Sequence, residues 1–186
     1  MKINNLNKHF GDKEIFKNSS FEFEDGKVTY ILGESGVGKT TLLRIIAGLD
    51  KDYTGEIVTG KERISYVFQE PRLFPALSVA ENISIVNENS PYTIDEVLEL
   101  VEMAPEKDSL PDTLSGGMKM RVALARAIYN DADLFVMDEP FSALNDELKE
   151  RILPKIFTCL KGKCVIIVSH NVEEAKTYAD TIITLS

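Results

Sequence analysis

The strongest chemical pattern in the chain is Gly33-Glu34-Ser35-Gly36-Val37-Gly38-Lys39-Thr40-Thr41. It has the form G-x-x-x-x-G-K-[ST], which binds phosphate when it joins a strand to a helix. A short apolar run, Thr29-Tyr30-Ile31-Leu32, enters it, and Leu42-Leu43-Arg44-Ile45-Ile46-Ala47-Gly48 leaves it with helical character. Such a loop wraps closely around an anion, points its N–H groups at the phosphates and adds the positive end of the helix dipole. Lys39 supplies a mobile charge for the outer phosphates, and the Thr40 hydroxyl is placed to ligate Mg²⁺. Thr41 serves the helix N-terminus. A glycine turn that binds nothing is the competing reading, and the strand and helix on either side argue against it.

Acids come next. The apolar run Leu134-Phe135-Val136-Met137 ends in Asp138-Glu139-Pro140. Acids at the carboxyl end of a buried parallel strand are costly unless they have work to do. Downstream of a P-loop, Asp138 suits Mg²⁺ and Glu139 suits the activation of an attacking water. Ser115-Gly116-Gly117, ahead of a helical stripe of Met118, Val122, Ala125 and Tyr129, is a second turn able to receive an anion. In isolation, an N-cap by Ser115 is the simpler reading.

Three further residues stay open on pattern alone. Gln69 ends the strand-like run Ile64–Phe68, where α/β sheets place ligands, and could equally be a solvated strand end. His170 follows the apolar run Cys164–Val168; a lone His is usually structural, but this one closes a strand on the edge that carries the P-loop and the acids. Phe10, beside Gly11, suits a stacking platform for a base or a plain packed ring.

The elements that position these residues read as strand–helix alternation after residue 28, so the chain is expected to be α/β with a mostly parallel sheet around a P-loop core. Residues 1–28 and about 50–68 form an expected β-rich layer, its N-terminal part antiparallel. Residues from about 76 to 130 form an expected helical insertion, with capping boxes at Ser78/Glu81 and Thr93/Glu96. Pro154 falls inside a helical pattern and is expected to kink or divide it.

The chain has 186 residues, suited to one domain or one lobe with an appendage. Its net charge is −9, which repels polyanions at long range and argues against nucleic-acid or anionic-lipid binding. No apolar run reaches the roughly 20 residues needed to span a bilayer, and Met-Lys-Ile-Asn-Asn lacks the apolar core of a secretory signal. A cytosolic location is expected, with any membrane role borrowed from a partner. Cys159 and Cys164 show neither zinc nor CxxC spacing and read as reduced thiols.

Taken together, these motifs resemble the nucleotide-binding subunit of ATP-binding cassette (ABC) transporters over essentially the whole chain. In that family's terms Gly33 to Thr41 matches Walker A, Gln69 the Q-loop, and Leu114 to Met118 the LSGGQ signature. Leu134 to Asp138 matches Walker B, Glu139 the catalytic glutamate, Ser142 to Asn145 the D-loop, His170 the switch histidine and Phe10 the adenine-stacking aromatic. Met118 stands where Gln is usual and Asn145 where Asp is usual, departures expected to tune activity. The C-terminal regulatory domain of some members is expected to be absent, since the sequence stops soon after the last strand pattern. The run Val67 to Pro75 resembles bacterial importers of nitrate, sulfonate or taurine.

The resemblance implies a head-to-tail dimer, homomeric or heteromeric. Each Mg-ATP is sandwiched between Walker A of one copy and Ser115, Gly116 and Gly117 of the other. Lys39 and Mg²⁺, held by Thr40, Asp138 and Gln69, supply charge; Glu139 activates water; His170 and Gln69 sense the γ-phosphate and metal. It implies a transmembrane permease partner, a possible solute-binding protein and a place on the inner face of the membrane. The alternatives are a soluble ABC-type ATPase unconnected with transport and a weakly hydrolysing regulatory subunit.

Overall fold

The computed structural model describes residues 1–60 and 63–186. Lys61 and Glu62, within the expected β-rich stretch 50–68, lie outside the described residues. The chain forms two compact units: residues 1–64, 133–138 and 162–186 make the first, and residues 65–132 and 139–161 the second.

The first unit begins with β1 (Lys2–Phe10), β2 (Lys13–Glu22) and β4 (Thr54–Val58), paired as an antiparallel sheet of order β2-β1-β4. Gly11 turns the β1–β2 hairpin at φ +57°. Its parallel sheet contains β3 (Val28–Gly33), β6 (Leu134–Asp138), β7 (Cys164–Val168) and β8 (Thr181–Leu185). Together with β5 (Ile64–Val67) these follow the order β5-β6-β7-β3-β8. β5 therefore belongs to this sheet, and the antiparallel layer ends at β4.

Every residue of β6 and β7 is buried, and apart from Asp138 at the end of β6 all are apolar, as strands covered on both sheet faces should be. Helix α1 (Lys39–Ile46) buries Leu42, Leu43, Ile45 and Ile46 and packs on β3, β6 and β7. Because β6, β7 and β3 run parallel, with Asp138 beside Val168 and Val168 beside Ile31, their carboxyl ends share one edge. At about 4.8 Å per strand, Asp138 sits two spacings, roughly 10 Å, from β3.

The second unit is helical: α2 (Val79–Ser84), α3 (Ile94–Leu100), α4 (Gly116–Tyr129) and α5 (Asp146–Cys159). Both capping boxes form, Ser78 with Glu81 and Thr93 with Glu96. Asn82 donates to the carbonyls of Phe74, Leu77 and Ser78 and accepts from the Phe74 N–H, so one buried amide fixes the entry to α2. The unit takes in α5 as well as the expected insertion. Arg151 forks onto both carboxylate oxygens of Glu102 at 2.9 Å, and α5 packs against α3. Pro154 does not divide α5; it lies on the exposed face, where water can serve the carbonyl its missing N–H leaves free. Helix α6 (Val172–Tyr178) completes the first unit.

Candidate functional site

Helix starts separate α1 from the others. Ser78, Thr93, Ser115, Asn145 and Asn171 cap α2 to α6 with side-chain oxygens. Helix α1 starts at Gly38 with no side-chain cap and no acid in its first turn. Its first N–H groups therefore have no oxygen of that kind to accept them, which suits an external anion. Gly38 holds φ +108°, and a Cβ there would stand 2.6 Å from Ile15 Cγ2 and 3.1 Å from Phe16 Cζ. The β1–β2 hairpin thus packs directly on the loop. We expect Gly38→Ala to destabilise the fold by about 2 kcal/mol, from backbone strain plus the clash with β2, and to weaken phosphate binding. Urea unfolding and tripolyphosphate titration check both effects.

The Lys39 ammonium donates to the carbonyls of Gly33 at 2.7 Å and Glu34 at 2.8 Å, which holds the charge across the mouth of the loop. Gly33 to Val37 line a cavity of about 750 Å³ together with His170, Val172, Thr184, Leu185 and Ser186. The structure thus brings the P-loop and His170 to one hollow. Asp138 is 3% exposed and ends β6 on the same sheet edge. Thr40 and Thr41 occupy the first turn of α1. Phe10 is not among the lining residues; it ends β1 at the hairpin tip, 54% exposed.

In the second unit, Gln69 is exposed just after β5. The strand end that carries it is braced by Phe68, stacked on Tyr66 with centroids 4.2 Å apart and covered by the Arg72 guanidinium at 4.2 Å. Ser115 accepts from the Met118 N–H, so it does cap α4. Ser115 and Gly116 are exposed, while a Cβ on Gly117 would lie 2.8 Å from the Ala143 carbonyl. The glycine turn and the Ser142–Asn145 loop are therefore packed against each other. Glu139, directly after Asp138, adopts φ +49°, a left-handed conformation rare outside glycine and often found at functional sites. The Ser142 N–H and hydroxyl both donate to its carbonyl, at 3.3 and 2.9 Å, and brace that turn.

The donor set fits Mg²⁺ carried by a triphosphate. Asp138 and Thr40 offer hard oxygen ligands, and among the described residues no cluster of three or more His, Cys, Asp or Glu makes a closed cage. Sequence reasoning misses two features. The end of β8 lines the cavity: the strand is legible but its pairing with β3 is not. Buried Lys8, beneath Phe10, carries no motif.

An uncapped helix behind a glycine loop, at the carboxyl edge of a parallel sheet, defines a P-loop phosphate-binding α/β protein. The ABC transporter family model matches residues 16–142. The Fe(3+) ions import ATP-binding protein FbpC of Haemophilus influenzae (strain 86-028NP) is 36% identical over 203 residues, covering 97% of this chain and 58% of that protein. The aliphatic sulfonates import ATP-binding protein SsuB of a Bacillus cereus strain is 37% identical over 201 residues, covering 99% of this chain and 80% of that protein. A dimeric structure of a post-hydrolysis state of the ATP-binding cassette MJ0796, bound to ADP and Pi, superposes with a TM-score of 0.87 at 29% identity, covering 100% of this chain and 94% of that one. The chain belongs to the ABC transporter family. It spans less than two thirds of the iron-import relatives, at 57–58% of their length. The expected architecture, a parallel sheet around a P-loop with an antiparallel layer, is the one observed. Among the described residues no helix is long and apolar enough to cross a membrane.

Proposed function

We propose that this chain is a single ABC ATPase domain that binds and hydrolyses Mg-ATP to power solute transport through a membrane-spanning partner. The observation that carries the reading is the cavity shared by Gly33–Val37 and His170, beside an α1 start that no side chain caps. The loop amides and Lys39 take the β- and γ-phosphates, with Thr40 and Thr41 at the helix start. Thr40, Asp138 and Gln69 would hold Mg²⁺, which supplies neutralisation of the triphosphate charge. Phe10 stacks on the base.

Phosphoryl transfer to water needs alignment and charge stabilisation more than covalent chemistry. Glu139 orients water and accepts its proton, and His170 reports the γ-phosphate. Ser115, Gly116 and Gly117 serve a second copy, closing the exposed side of its nucleotide. The solved relative described as dimeric and bound to ADP and Pi supports this arrangement. The chain then works on the cytoplasmic face, beside a permease and, in an importer, a solute-binding protein. Relatives named for iron and for sulfonates match at nearly equal identity, so the solute class is left to the partner subunits.

The test is to affinity-purify the chain from detergent extract and assay phosphate release. A co-purifying polytopic membrane protein that stimulates turnover supports the reading. Recovery of ribosomes or nucleic acid, or no phosphate release even with the membrane protein present, overturns it.

A further inference from the structure

Lys8 on β1 is 2% exposed, and its ammonium is held from three sides. The Asp52 carbonyl lies 2.6 Å away, the Asp50 carboxylate 3.1 Å and the Asp52 carboxylate 3.2 Å. The same ammonium stands 4.7 Å from the centroid of the Phe10 ring, inside the range of an attractive cation–π contact. Burial opposes the charge on Lys8, yet the hydrogen bonds and fields of Asp50 and Asp52 outweigh it and hold its pKa above the ordinary lysine value.

We propose that Lys8 is a positioning residue for the nucleobase, backing the Phe10 ring so that its outer face is set for a stacked purine. This rests on the reading of Phe10 as the base platform. An aromatic ring at a hairpin tip, over half exposed, has rotamers to choose among, and a fixed cation behind one face favours the one that lies flat upon it. The ring's electron density is drawn toward the ammonium, which leaves the outer face less negative and better matched to an electron-rich purine. The anchor for Lys8 is the segment Asp50–Asp52, which follows α1, the helix whose N-terminus carries the phosphate loop. One ammonium therefore ties the base platform to the helix that would hold the phosphates.

Isothermal titration of the full chain with ATP and with inorganic tripolyphosphate tests this, because tripolyphosphate has no base. Phe10→Ala is expected to weaken ATP binding about ten-fold or more and to leave tripolyphosphate unchanged. Lys8→Met is expected to weaken ATP binding about four-fold, again with tripolyphosphate unchanged, and to add nothing once Phe10 is Ala. Lys8→Gln keeps a donor for the Asp52 carbonyl but no charge; it should match Lys8→Met, and it decides the matter where the methionine variant does not fold. Lys8 variants that bind ATP like the parent while Phe10→Ala does not would overturn the proposal. So would an equal loss of ATP and tripolyphosphate, which marks Lys8 as scaffold only. If Phe10→Ala itself leaves ATP affinity unchanged, the base platform has failed and the role of Lys8 falls with it.

Discussion

Glu139→Gln is expected to bind Mg-ATP with near-parental affinity, to release phosphate at least about 100-fold more slowly, and to elute as a dimer in gel filtration when Mg-ATP is present. The substitution keeps length and shape and removes the one property a general base needs, an ionised oxygen able to take a proton. The backbone at this position should not shift. The left-handed φ of +49° is braced through the carbonyl by the Ser142 N–H and hydroxyl, and neither contact involves the Glu139 side chain. Asp138, the carboxylate proposed for the metal, is untouched, so affinity should survive. A protein that closes around ATP and cannot hydrolyse it stays closed, which is why the dimer accumulates. Parental turnover would show that water is activated elsewhere. A monomer under all conditions, with turnover lost, would sink the two-copy arrangement while leaving Glu139 as the base.

How much of this is legible in the sequence depends on whether a feature is local or assembled. The P-loop is legible because its chemistry lies in consecutive residues and its strand and helix flank it directly. The all-apolar runs of β6 and β7 announce strands covered on both faces, and both are fully buried. Capping boxes are likewise local, and Ser78 and Thr93 form theirs. Pairing across long separations is a different matter. β5 reads as part of the β-rich layer because strand propensity does not say which sheet a strand will join. Lys8 is invisible for the same reason: a lysine in a strand reads as solvated until Asp50 and Asp52 are seen folded over it. Pro154 reads as a break because sequence does not show which helix face will be wet. Ser115 takes the simpler of its two readings, capping α4, while the turn it opens stays exposed.

Lys39→Ala is expected to weaken ATP binding about 100-fold, the equivalent of roughly 2.7 kcal/mol, and to weaken ADP binding less. The Lys39 ammonium already spends two donors on the carbonyls of Gly33 and Glu34, so its position over the loop is fixed by the loop itself. A lysine has three donors, which leaves one for a phosphate oxygen, and the charge acts on every phosphate within reach. The γ-phosphate carries the largest share of that charge, so removing it, as in ADP, removes part of what Lys39 contributes. The fold should lose only about 1 kcal/mol, because both hydrogen bonds are made at a partly exposed site where water replaces them. Urea unfolding separates that small loss from the large loss of affinity. Lys39→Arg gives a sharper arm: the guanidinium keeps the charge, but its planar fork does not match two carbonyls of one tight turn, so affinity should recover only in part. An ATP affinity unchanged in Lys39→Ala would mean that the nucleotide does not sit on this loop, and the site would have to be sought elsewhere in the chain.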